Sequence, residues 1–134
     1  MRKERITYTD YNGVSRTEDF YFNLSKAELT EMQFGTNGGF KNMVERIINT
    51  QDIPELIKLF KQVIFQSYGV RSDDGRRFIK KSPNGRLLAE EFAETEAYSV
   101  LWMSLLEDEN KAAEFINEIL PEVETPSIPA PANK

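Results

Sequence analysis

Residues 97–106 read Ala-Tyr-Ser-Val-Leu-Trp-Met-Ser-Leu-Leu, and a helix through them is apolar almost all the way round. Tyr98, Leu101, Trp102 and Leu105 share one face at i, i+3, i+4 and i+7, while Val100, Met103 and Leu106 make a second. Such a helix must be covered on several sides, by its own chain or by another. The segment that follows adds Phe115, Ile116, Ile119 and Leu120 to the demand. Either this is the central core helix, or part of its surface is a protein-binding groove or self-association face. The second reading is taken here, with Tyr98, Leu101, Trp102, Met103, Leu105, Phe115 and Ile119 as the candidate protein-binding residues. Trp102 and Met103 serve as anchors, because Trp is favoured at binding hot spots and Met at adaptable apolar surfaces.

Whether the chain can cover that helix itself depends on its size. It has 134 residues, 40% hydrophobic and 29% charged, enough for one core. It holds no Cys and no His. Disulfides, thiolate metal sites, thiol nucleophiles and His-based catalysis are therefore excluded. Seventeen basic against twenty-two acidic residues give a net charge of −5, which argues against nucleic acid as the main partner. No apolar run approaches the ~20 residues that span a bilayer, and the Met-Arg-Lys-Glu start leads into no signal-peptide core. Nothing marks the chain for a membrane or for export.

The first 23 residues read as a β-hairpin. Asp10-Tyr11-Asn12-Gly13 suits a type I turn followed by a glycine bulge. A three-residue loop places Ile6, Tyr8, Phe20 and Phe22 on one face, whereas a two-residue loop would split them. The pattern predicts strands near 3–9 and 14–22. Ser25 and Glu28 then form a capping box, with Leu24 and Leu29 as its hydrophobic staple and Gly35 closing the helix after Phe34. The glycines at 35, 38 and 39 have neither the Lys-Ser/Thr pair nor the preceding strand of a phosphate loop. Phe40, Met43, Val44, Ile47 and Ile48 recur at helical spacing. After a break at 50–52, a helix over 53–67 carries an inner stripe of Leu56, Ile57, Phe60, Val63 and Ile64, and Gly69 ends it.

Residues 70–86 read as a basic surface loop, with a turn at Asp73-Asp74-Gly75 and a run of Arg76, Arg77, Lys80 and Lys81. The next segment is acidic: nine carboxylates stand against Arg86 and Lys111 between 86 and 119. Helices are predicted at 87–94, 95–106 with Thr95 as cap, and 108–120 with Asp108 as cap. Glu90 and Glu94 fall at i, i+4, but nothing nearby completes a metal or acid–base set, so they read as a solvated face. The prolines at 121, 126, 129 and 131 predict a disordered tail. The fold expected is α+β and mostly α: one domain over 1–120, built as a hairpin (1–23), helices (24–69), a basic loop (70–86) and about six helices in all, ending in acidic ones (87–120). No cofactor, metal or enzymatic activity is expected.

Three blocks resemble the tail assembly chaperones of long, non-contractile-tailed bacteriophages. They are Phe22-Asn23-Leu24-Ser25-Lys26-Ala27-Glu28-Leu29-Thr30, the stretch Ser67-Tyr68-Gly69-Val70-Arg71-Ser72-Asp73-Asp74-Gly75-Arg76-Arg77-Phe78, and Glu91-Phe92-Ala93-Glu94-Thr95-Glu96-Ala97-Tyr98 followed by Ala113-Glu114-Phe115-Ile116-Asn117. The resemblance implies a non-enzymatic morphogenesis factor in the host bacterial cytoplasm, absent from the finished virion. It would bind the hydrophobic tape measure protein, keep it soluble and help recruit tail tube protein. The alternative is a structural phage protein that self-associates through its apolar C-terminal helices. The family supplies no residue-level site.

Overall fold

The computed structural model describes residues 1–50 and 52–120. Strand β1 (Arg2–Thr9) pairs antiparallel with β2 (Ser15–Phe22). The turn is the expected one: Gly13 N–H donates to the Asp10 carbonyl at 2.9 Å with Gly13 at φ 82, and Asp10 Oδ1 accepts from the backbone of Asn12 and Val14. Arg2 opposes Phe22 and Thr9 opposes Ser15, the register of a three-residue loop. Ile6, Tyr8, Phe20 and Phe22 share the inner face, with Ile6 and Phe22 buried. The outer face is polar. There Arg5 grips Asp19 with two nitrogens at 2.8 and 3.1 Å, and the Thr7 and Thr17 hydroxyls meet at 2.9 Å.

Helix α1 (Lys26–Phe34) starts on the predicted capping box: Ser25 Oγ accepts from Glu28 N–H and Glu28 Oε1 accepts from Ser25 N–H. Leu24 and Leu29 are both buried and Gly35 caps the helix. Helices α2 (Phe40–Thr50) and α3 (Ile53–Ser67) follow, α3 opening on Asp52 as cap and Pro54 in its first turn. One part of the α3 stripe needs correction. Leu59, Phe60, Val63 and Ile64 are the buried set, while Ile57 is 40% exposed.

Gly69 does not terminate α3, and residues 70–86 are not simply loop. The helix ends at Ser67 and the chain passes directly into β3 (Tyr68–Arg71), which pairs with β2 through Tyr21↔Gly69 and Phe22↔Tyr68. Strand β4 (Phe78–Ile79) returns against β3, making a four-stranded sheet in the order β1-β2-β3-β4. Gly69 is needed for proximity rather than for helix termination: a Cβ there would lie 2.6 Å from the Phe78 ring and 2.7 Å from the Ile79 carbonyl oxygen. Lys80, in the basic run, turns back to α1, donating to Glu28 Oε2 and to the Gln66 carbonyl, each at 2.7 Å.

Short helix α4 (Leu88–Phe92) leads to α5 (Glu96–Glu107) and α6 (Glu109–Ile119), with Thr95 and Asp108 as the side-chain caps anticipated for the last two. Helices α5 and α6 lie against β1. The architecture is thus α+β and mostly α, with six helices after the hairpin among the described residues. The proline-rich segment 121–134 lies outside the described residues.

The inner face of β1 holds one surprise. Arg2 and Glu4 point the same way as Ile6, and the Glu4 carboxylate is buried. Arg2 Nε meets it at 2.7 Å, Lys111 Nζ reaches it at 3.4 Å, and Arg2 Nη1 also meets Glu114 and Glu118 of α6 at 3.2 and 3.0 Å. Burial alone would lower the pKa of the Arg2 guanidinium, but bonds to Glu4, Glu118 and Glu114 outweigh it and raise it. A charged clamp therefore fastens β1 to α6.

Candidate protein-binding surface

The structure divides the candidate residues into those the chain covers and those it leaves out. Leu101 and Leu105 of α5 and Phe115 and Ile119 of α6 are buried to within about one per cent of their surface. In the closed fold all four belong to the core, and of them Leu105 alone also contributes to the lining of a surface groove. The physical reason is that β1 and α6 together shelter the Ala97–Leu101–Leu105 face of α5.

Tyr98 and Trp102 sit at the edge of this core, half-buried and set among their own chain's rings. Trp102 Nε1 donates to the Tyr98 hydroxyl. Its ring meets Phe60 of α3 edge-on at 6.3 Å, and Tyr98 is edge-on to both Phe65 and Phe92. Phe92 in turn stacks flat on Tyr68 at 4.5 Å. These aromatic contacts join α3, α4, α5 and β3 into one body.

Of the residues proposed from sequence, Met103 alone faces solvent, at 52% exposure. Val100 and Leu106, its companions on the second face of α5, are exposed with it. Sequence reasoning missed what lies beside them. A groove of about 190 Å³ opens between the α2–α3 pair and the α5–α6 pair, lined by Ile48, Ile53, Leu56, Phe60, Leu105, Leu106, Ala112 and Ala113, with Glu109 as its charged member. Ile53 and Ile57, one turn apart on α3, add exposed apolar surface at this side. The signal for the groove was the second face of α5, which the sequence shows plainly. Its other wall comes from residues some 50 positions away, which no local periodicity connects.

Among the described residues no group of three or more Asp or Glu is placed to hold a metal ion. Glu90 and Glu94 are both occupied by Arg86, at 3.2 and 2.8 Å. No helix among the described residues is long and apolar enough to cross a membrane. The arrangement can offer an apolar strip and a side-chain-sized groove on a scaffold held by a dense aromatic core.

A family model described as phage tail assembly chaperone matches residues 1–126. The chain belongs to that family. Its members are typically non-enzymatic and act on a phage tail protein in the infected host cell while tails are being assembled. No curated protein and no solved structure matches the chain. The family model covers every described element, from the hairpin through α6, so the groove and the exposed face of α5 lie within the shared region.

Proposed function

We propose that this chaperone binds the hydrophobic, helical tape measure protein, keeps it soluble and promotes assembly of tail tube protein around it. The reading is supported by membership of the family together with one observation, the apolar strip of Val100, Met103 and Leu106 that runs beside the groove. Isolated exposed apolar residues are ordinary, but a set of them at one helical spacing beside a groove is the feature of an interaction surface. One such strip falls short of the ~800 Å² per partner typical of a specific interface. Strength would come from many copies on one long client, each weak contact reinforcing the next. The acidic C-terminal helices would keep coated complexes apart by mutual repulsion.

The test is co-expression of the tape measure protein with the wild-type chain and with a Met103→Asp/Leu106→Asp variant. The client is expected in the soluble fraction with the wild type and in the pellet with the variant. Thermal unfolding of the purified variant should match the wild type closely, because both residues are outside the core. Leu101→Ala, buried and outside the groove lining, is the contrasting control, costing about 2–5 kcal/mol of stability as a buried truncation. A client that stays insoluble beside a folded wild-type chain refutes the proposal.

A further inference from the structure

The groove is sized for a side chain. An apolar cavity of about 150 Å³ accepts a benzene-sized group, so about 190 Å³ suits one Leu, Met or Phe. Val100, Met103 and Leu106 follow at i, i+3 and i+6, a strip of about 9 Å along α5. A straight helix laid on that strip presents apolar residues every three or four positions and can drop one into the groove. An extended strand alternates its side chains between two faces and matches neither spacing.

Charge around the groove has one prevailing sign. The α5–α6 joint beside Leu106 carries Glu107, Asp108 and Glu109 in succession, and Asp52 precedes Ile53 on the opposite wall. The cations of the lining helices offset this only in part. Lys41 and Arg46 on α2 and Lys58 and Lys61 on α3 stand against Glu45, Asp52, Glu55, Glu107, Asp108 and Glu109, while Lys111 reaches away to Glu4 at 3.4 Å. We infer that the groove takes the anchor side chain of a partner α-helix whose apolar stripe is bordered by lysine or arginine. On the chaperone reading above, on which this rests, that is the chemistry of the client segment.

The experiment uses the full chain and two Trp-free, 20-residue helical peptides with one Leu/Phe stripe, flanked by Lys in one and Glu in the other. Trp102 is the only tryptophan and touches Phe60, a groove wall, so its emission reports occupancy. The Lys-flanked peptide is expected to bind about tenfold tighter at low salt, the sum of a few exposed charge pairs, with the gap closing as salt rises. Ala113→Leu, which fills the groove from a half-buried position, should abolish binding while leaving thermal unfolding near the wild type. Equal or tighter binding of the Glu-flanked peptide, or binding indifferent to Ala113→Leu, overturns the inference. So does a self-association that Ala113→Leu removes and the peptide competes away, which would make a second copy the occupant. If the tape measure protein is kept soluble while neither peptide binds, the inference falls and the chaperone reading stands. If the peptides behave as expected while that client stays insoluble, the chaperone reading falls and the groove assignment stands.

Discussion

Gly69→Ala tests the junction where α3 becomes β3. Gly69 has an ordinary backbone conformation, so alanine meets no torsional penalty there, and by narrowing the unfolded ensemble it would stabilise the chain by about 0.4–1 kcal/mol. Space decides otherwise. The added Cβ would lie 2.6 Å from Phe78 Cε2, 2.9 Å from Cδ2 and 2.7 Å from the Ile79 oxygen. Carbon atoms prefer about 3.5–4.0 Å, so the ring must retreat by about 1 Å. The carbonyl is backbone of β4, a two-residue strand, and can retreat only by loosening its pairing with β3. Overpacking of this kind costs about 1–3 kcal/mol. The net effect is a loss of about 1–2 kcal/mol. With an unfolding entropy of about 2.1 cal/mol/K per residue, the Tm should fall by about 4–7 °C. Thermal unfolding followed by far-UV circular dichroism measures it. Adding Phe78→Ala should recover part of the loss, because the ring is gone but the carbonyl remains, giving a coupling of about 1 kcal/mol in a double-mutant cycle. An unchanged or higher Tm in the single variant, or no coupling in the cycle, refutes the steric argument.

Two other outcomes follow from the ion pairs. Arg2→Met leaves the buried Glu4 carboxylate with only the 3.4 Å contact to Lys111, and should destabilise by about 3 kcal/mol in urea titration, while Arg2→Met/Glu4→Leu should recover much of that. Glu28 is pushed up by burial, but bonds from Lys80 Nζ and the Ser25 N–H outweigh this and hold its carboxyl below the usual range. Stability from that group is therefore present above its unfolded pKa of about 4.3 and is lost as pH falls through the lower folded value. Melting curves between about pH 5 and 3 should show the decline, shallower in Glu28→Gln, which keeps the cap acceptor and loses the charge; identical slopes would remove Glu28 from the account.

Much of the scaffold was legible because its signals are local. The parity of Ile6, Tyr8, Phe20 and Phe22 admits one hairpin register, and Ser25, Thr95 and Asp108 each announce a helix start by hydrogen-bonding chemistry confined to a few residues. What escaped is non-local. Strands β3 and β4 are too short to show alternation, and Gly69 looks like a helix stop until the Phe78 ring is seen resting on it. Arg2 and Glu4 have inward parity, but only α6 explains why charge is tolerated there. The candidate site suffered from the same limit. Periodicity showed that α5 has two apolar faces without showing which one its own chain covers, so Leu101 and Leu105 were grouped with Met103 although the core takes the first two and leaves the third outside.

The clamp between β1 and α6 also sets an order of events during synthesis. Arg2 leaves the ribosome well before Glu114, which lies 112 positions downstream. At about 5–20 residues per second that is an interval of about 6–22 s. Until α5 and then α6 are made late in that interval, the greasy side of the hairpin has neither to cover it. The hairpin thus begins life uncovered, and its clamp closes only once Glu114 and Glu118 of α6 have been made.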